Sequence, residues 1–194
     1  MSDREGDKVT SMNHWLAIDY LQHGNADQVE VYHLLQELRI MAVLELYTPV
    51  LIGTLPLSIH IPGSDLDIAC EVYDFAAFEE LVRVHFEHYE AFEYVRRTVN
   101  EVERVKVNFC CGKWPVEIFG QPIPVIEQNG FRHMVIEECL LRKYGDSFRQ
   151  QIIELKRNGM KTEPAFAKLL QLEGDPYEQL LLIDCDENHR HKES

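Results

Sequence analysis

The sequence predicts an α+β protein: a small mixed, twisted sheet with flanking helices, followed by an all-helical C-terminal annex. Three observations lead there. Strand-type stretches with period-two alternation or short apolar runs are confined to residues 49–119. Helical periodicity occurs before and within that region, and only helical patterns follow it. Between the two lies Gln121-Pro122-Ile123-Pro124, a stiff extended joint with two prolines in three residues. The chain therefore divides into an N-terminal leader (1–26), a sheet-bearing domain (27–121), a helical subdomain (122–188) and a frayed tail (189–194).

The elements follow in order. Residues 1–12 read as a loose polar leader. From Asp27 to about Leu44, Val31, Leu34, Leu35, Leu38 and Val43 recur at helical spacing, with Asp27 as N-cap and Glu30 as its capping-box partner. Pro49–Ile52 is a short apolar strand ended by Gly53, and Leu66–Val72 alternates as a second strand. Asp74 caps a helix whose Phe75, Phe78, Leu81, Val82, His85 and Phe86 share one face. Three β-rich stretches come next, Ala91–Val99, Arg104–Cys110 and Pro115–Phe119, the last two joined by a tight turn at Gly112-Lys113. Arg104–Phe109 alternates cleanly, so one of its faces is wet and the other buried. Beyond the proline joint, helices are predicted from Pro124 to Lys143, from Asp146 to Arg157, after Thr162, and from Asp175-Pro176-Tyr177-Glu178, where cap, first-turn proline and capping-box glutamate coincide.

Composition narrows the function. A 194-residue chain with 45% hydrophobic and 27% charged residues is an ordinary globule, which excludes a disordered chain, a collagen and a membrane bundle. No apolar run approaches the ~18–20 residues of a membrane span, and Met1–Thr10 has no apolar segment of the secretory type. With 19 Lys+Arg against 33 Asp+Glu the net charge is −14, which repels phosphate backbones and argues against broad non-specific binding to DNA or RNA. The five cysteines include no C-x-x-C pair, and the expectation is reduced, mostly buried thiols in a cytoplasmic protein.

The chemistry is concentrated in Ile52-Gly53-Thr54 and Gly63-Ser64-Asp65-Leu66-Asp67-Ile68. A strand ends at a glycine, which lets the next backbone amides approach an anion, and the Thr54 hydroxyl can donate to the same anion. Asp65 opens the following strand, and the β period of two puts Asp65 and Asp67 on one face while Leu66 and Ile68 point to the core. Two carboxylates so placed repel unless a cation sits between them, and oxygen-only ligands on a rigid strand suit Mg²⁺ carrying substrate phosphates. Read singly, Gly63-Ser64-Asp65 is a turn and Asp67 a solvent-facing strand residue. The joint pattern is what points to a nucleotide site.

These residues resemble the nucleotidyltransferase superfamily with the DNA polymerase beta-like palm. Its hallmark is a Gly-Ser or Gly-Gly turn followed about a dozen residues later by a hydrophobic-Asp-hydrophobic-Asp/Glu-hydrophobic strand, and the resemblance covers roughly residues 27–120. More narrowly, the chain looks like a bacterial branch of unknown function that combines Gly-Thr-x-x-Leu, Gly-Ser-Asp-Leu-Asp-Ile and Glu-Gln-Asn-x-Phe-Arg-His-Met. The last motif is here Glu127–Met134. The resemblance implies that Asp65, Asp67 and a third carboxylate, Glu117, bind Mg²⁺ (or Mn²⁺), and that Glu117 helps take the proton of an acceptor hydroxyl. Gly53 and Thr54, with Ser64 and Arg132, would hold the nucleoside triphosphate (NTP).

Two departures matter. Thr54 replaces the commoner serine, and Leu55–Ile61 contains no Lys or Arg, leaving His60 alone there. The missing positive charge is therefore expected from Arg132, with His133, Arg142 and Lys143 as further candidates on the helix after Pro124. The function that follows is Mg²⁺-dependent transfer of a nucleotidyl group from an NTP to a small hydroxyl-bearing acceptor or a protein side chain. The rival is a fold of this type without catalysis, acting as a nucleotide sensor or an antitoxin-like interaction module. Either reading leaves a protein partner or a homodimer open and requires no membrane.

Overall fold

The computed structural model describes residues 14–184. The polar leader expected over 1–12, the tail 189–194 and Cys185 lie outside the described residues. Five strands form one sheet: β1 (Val50–Ile52), β2 (Leu66–Glu71), β3 (Glu90–Val99), β4 (Val102–Cys111) and β5 (Trp114–Gln121), in the spatial order β1-β2-β5-β4-β3. The β2–β5 pair is parallel and the other three are antiparallel, so the sheet is mixed as the sequence predicts. The helices are α1 (Ala26–Glu37), α2 (Ile40–Val43), α3 (Phe75–Phe86), α4 (Asn129–Arg157), α5 (Thr162–Leu170) and α6 (Pro176–Leu181).

One sheet face carries the larger core. Val31 and Leu35 of α1 and Phe78, Val82 and Phe86 of α3 pack against Leu66, Ile68, Val107, Phe109, Val116 and Ile118. Each such side chain, fully withdrawn from water, stabilises the fold by ~1.5–3 kcal/mol in transfer terms. The opposite face is covered at one end only, where Val50 of β1 and Ala69 of β2 meet Phe131, Met134, Leu141, Phe148 and Phe166 from α4 and α5. Towards β4 and β3 that second face is open. A border between covered and open sheet therefore runs past β2 and β5, and the site lies along it.

Several local expectations are shifted, each for a visible reason. The cap of α1 is Asn25, not Asp27: the Asn25 side chain accepts from the Gln28 amide and the Gln28 side chain accepts from the Asn25 amide, at 3.0 and 2.9 Å. Asp27 is instead paired with His60 and Lys113. The helix ends at Glu37 because Arg39 adopts a left-handed conformation, φ 52°, before the single turn of α2. Pro124 opens only a 3₁₀ turn, Val125–Glu127, since Gln128 is extended and α4 begins at Asn129. The expected break at Gly145 is present: its φ of 73° and ψ of −165° divide α4 into two arms, a conformation that a β-carbon disfavours. Trp15, Ile18 and Leu21, within the stretch read as leader, are buried over the core in and between two 3₁₀ turns; their three-residue spacing fits that tighter helix and not the α-helical or strand period. Cys70, Cys110 and Cys111 are free, as expected, whereas Cys139 is disulfide-bonded, which corrects the expectation of reduced thiols at that position. Among the described residues no helix is long and apolar enough to cross a membrane.

Candidate functional site

Strand register brings the carboxylates together. Asp67 of β2 pairs with Ile52 of β1 on one side and with Glu117 of β5 on the other. On β2, Leu66, Ile68 and Cys70 point into the larger core, so Asp67, Ala69 and Glu71 take the other face; on β5, Val116 and Ile118 point inward, which leaves Glu117 and Phe119 on that same face. Because the partners share parity, Asp67 and Glu117 project side by side. Asp65 stands exposed just before β2, and one carboxylate oxygen from each of Asp65, Asp67 and Glu117 lies within 4.8 Å of the others.

Burial and like charge act on this trio. Desolvation, then the charges of Glu117 and Asp65, push the Asp67 carboxyl up to about 7, against smaller opposing effects of Lys106 and Lys156. Lys106, two residues before Asn108, which is the β4 partner of Glu117, forms an ion pair with Glu117. That hydrogen bond, and then the nearby negative charges, hold the Lys106 ammonium above its usual range despite some desolvation. Gly53 fits against Asp67 so closely that a β-carbon built on it would stand 2.5 Å from Asp67 Oδ2, and its φ is +82°. Three hard oxygen donors, mutually repelling and two of them half-buried, form a donor set that suits a divalent cation such as Mg²⁺ or Mn²⁺.

Asp67 and Glu117 line a cleft of about 430 Å³ whose floor also includes Gly53 and Thr54 and whose far wall is helical, with Asn129, His133 and Glu137 of α4 and Glu163 of α5. Its size falls within the ~300–1,000 Å³ of small-molecule sites. The 127–134 motif builds that wall. Gln128 Nε2 donates to the carbonyls of Cys70 and Ile123, both at 2.9 Å, which ties the start of α4 to the end of β2. Phe131 and Met134 anchor the helix in the second core, and His133 Nε2 donates to the Tyr177 carbonyl at 2.8 Å.

The nucleotide-contacting residues expected from sequence separate here. Gly53 and Thr54 line the cleft. Ser64 instead accepts from the Ile61 amide at 3.0 Å and closes the turn that delivers Asp65. Arg132 is exposed and does not line the cleft, although it donates to Oδ1 of the cleft-lining Asn129 at 3.4 Å. The helical period explains this: Asn129, His133 and Glu137 succeed one another on one face, and Arg132 is turned ~100° from His133. Arg142 is paired with Glu138 at 2.8 Å, and His60 with Asp27 at 3.0 Å. Of the cationic candidates on α4, only His133 reaches the cleft wall.

Positive charge reaches the site from residues that the sequence reading passed over. Arg104 lines the cleft, and its Nε is buried with no hydrogen-bond partner among the described residues. Lys106 stands two residues on, on the same face of β4. The alternation of Arg104–Phe109 already marked that wet face; only the β4–β5 register shows that it adjoins Glu117. Lys156, from the second arm of α4, is buried near Glu137, Asp67 and Glu163. Its desolvation outweighs their attraction and brings its ammonium down to about 8.

Among solved structures, the chain is similar to one described as the structure of the GLD-2/RNP-8 complex, with 14% identity over 78% of this chain and 57% of that chain and a TM-score of 0.48. It is similar to the Cid1 poly(U) polymerase in a structure bearing on UTP selectivity, with 13% identity over 81% of this chain and 48% of that one and a TM-score of 0.48. It is also similar to the polymerase core of TRAMP, an RNA surveillance complex, with 11% identity over 81% and 49% and a TM-score of 0.47. The chain spans about half the length of these structures. No curated protein matches it in sequence. One family model does, across residues 33–183, and the chain belongs to that family, described as a domain of unknown function, DUF4269.

Proposed function

We propose that the protein is a Mg²⁺-dependent nucleotidyltransferase, with Mn²⁺ as an alternative ion, that moves a nucleotidyl group from an NTP to a hydroxyl on a small acceptor or a protein side chain. The observation that carries this reading is the convergence of the Asp65, Asp67 and Glu117 carboxylates, two of which, Asp67 and Glu117, line the same cleft as Gly53 and Thr54. Asp65, Asp67 and Glu117 would hold the ion, which supplies charge stabilisation to phosphate oxygens during in-line displacement. The positive φ of Gly53 and its lack of a side chain leave the backbone of Gly53-Thr54 open to phosphate, and the Thr54 hydroxyl can donate to it. Glu117 would hold the proton of the attacking hydroxyl as the new O–P bond forms and pyrophosphate leaves. Arg104 Nε, a donor without a partner among the described residues, and Lys106 would offset the triphosphate charge in place of the absent basic residue of Leu55–Ile61. A net charge of −14 favours a small acceptor or a protein over a long nucleic acid. A cytoplasmic setting, where Mg²⁺ and NTPs are abundant, fits this chemistry.

The test is a thermal melt with Mg²⁺ or Mn²⁺ and each of the four NTPs. A nucleotide at a hundredfold excess over its Kd adds ~2.7 kcal/mol to the folded state, and Asp67→Asn should abolish the rise without unfolding the protein. An equal rise in both proteins would place the nucleotide elsewhere. No rise in the wild type would favour the sensor or interaction-module reading.

A further inference from the structure

The helical wall has an electrostatic imbalance that the nucleotide chemistry does not use. Glu137 is 3% exposed, lines the cleft, and its Oε1 has no hydrogen-bond partner among the described residues. Burying a carboxylate oxygen without a donor is costly, so such an atom marks a place where a donor belongs. Desolvation, and then the negative charge of Glu163 on the same wall, hold the Glu137 carboxyl well above its usual range, against the opposing charge of Lys156. The compensating cation is Lys156, but it is shared by three carboxylates, Glu137, Asp67 and Glu163. His133 Nδ1 stands 3.8 Å from Glu163, beyond hydrogen-bonding distance. A second buried acceptor without a donor among the described residues, Gln128 Oε1, belongs to another cleft-lining residue, one only 2% exposed. The wall thus offers buried acceptors and a carboxyl whose ionised form lacks a sufficient counter-charge, the opposite of what a triphosphate needs.

We propose that this wall, at Glu137 and Glu163, is a subsite for a small organic ammonium ion, the amino group of the molecule whose hydroxyl is modified. The inference rests on the nucleotidyltransferase reading for that last step alone; the binding itself does not require it. An ammonium brings up to three donors and one positive charge. It satisfies Glu137 Oε1 directly and holds the rest of the molecule over the cleft floor, with Gln128 Oε1 free to accept from a second donor.

The experiment is calorimetric titration of the full chain, without nucleotide, with ethanolamine, glucosamine and spermidine, using glucose and N-acetylglucosamine as uncharged controls. At least one amine should bind saturably, and the controls at least ~10-fold more weakly, the margin that a hydrogen bond to a charged group commands. Glu137→Gln should weaken that amine at least ~10-fold and Glu163→Gln in the same direction, whereas Asp67→Asn should change it less than ~3-fold. Glu163→Gln, less buried than Glu137, keeps the test decisive if Glu137→Gln does not fold. Absence of saturable binding by all three amines overturns the proposal. So does an amine whose affinity is lost in Asp67→Asn and kept in Glu137→Gln, because it then sits on the carboxylate trio. Failure of the NTP melt with amine binding intact would sink the nucleotidyltransferase reading and leave the subsite standing, and the converse holds equally.

Discussion

Asp67 and Glu117 are direct register partners across the parallel β2–β5 pair, and Lys106 on the next strand is ion-paired to the second of them. Two carboxylates are thus held side by side by backbone hydrogen bonds rather than by a loop, with the Lys106 ammonium beside them. The strands cannot move apart to relieve the repulsion, so it must be relieved by a proton, by Lys106 or by a bound ion. Three consequences can be measured.

The first concerns pH. Metal binding at this trio must displace the proton that Asp67 retains below about 7. Mn²⁺ affinity should therefore rise by up to ~10-fold per pH unit below that value and level off above it. Linkage gives the metal-free protein the opposite trend. The unfolded Asp67 titrates near ~3.9, so between that pH and about 7 the native state binds more protons than the unfolded one. Stability is then lost as pH rises across that window. Lys156, brought down to about 8, works the other way and adds stability as pH rises beyond that value. Subtracting the stability curve of Asp67→Asn from that of the wild type isolates the first trend. A flat difference curve together with pH-independent Mn²⁺ affinity would refute it.

The second concerns Lys106. Replacing it by methionine removes a positive charge that competes with metal for Glu117. Mn²⁺ alone should bind ~3–10-fold more tightly to Lys106→Met by the Coulomb energy of a partly exposed pair. The metal–NTP complex should bind more weakly, because the triphosphate loses a counter-charge. Calorimetry with and without nucleotide separates the two effects, and movement of both affinities in the same direction would show that Lys106 is not poised between them.

The third concerns Gly53 and has a built-in control. Gly53→Ala must tolerate φ +82° and a β-carbon 2.5 Å from Asp67 Oδ2, whereas Gly63→Ala faces φ +86° with nothing within 4 Å. Both should lose ~1–2 kcal/mol in denaturant melts from backbone strain. Only Gly53→Ala should also lose metal binding, because Asp67 has to shift. Equal metal affinity in the two variants would mean that the Gly53–Asp67 contact does not position the carboxylate.

The elements were legible in the sequence because they are governed by local periodicity. Alternation in Leu66–Glu71 and Arg104–Phe109 marked β2 and β4, Asp74 and Asp175 marked two helix starts, and Gly145 marked the break in α4. Ends were less secure where near-equivalent caps compete. Asn25-x-x-Gln28 displaced Asp27-x-x-Glu30 because His60 and Lys113 engage Asp27 and Lys113 and Trp114 engage Glu30 from distant segments, which nothing local can reveal.

For the site, the family resemblance nominated Glu117; parity along a strand is a property of sequence, and it was enough to place Asp65 and Asp67 together. Which strands lie side by side is not, because pairing is settled by how the two cores bury their apolar faces. The tertiary structure alone therefore decided that β5 would lie parallel to β2 with Asp67 opposite Glu117, and that the wet face of β4 would bring Lys106 to them. It also decided that the helical turn of α4 would direct His133 and Glu137 into the cleft and Arg132 out to solvent.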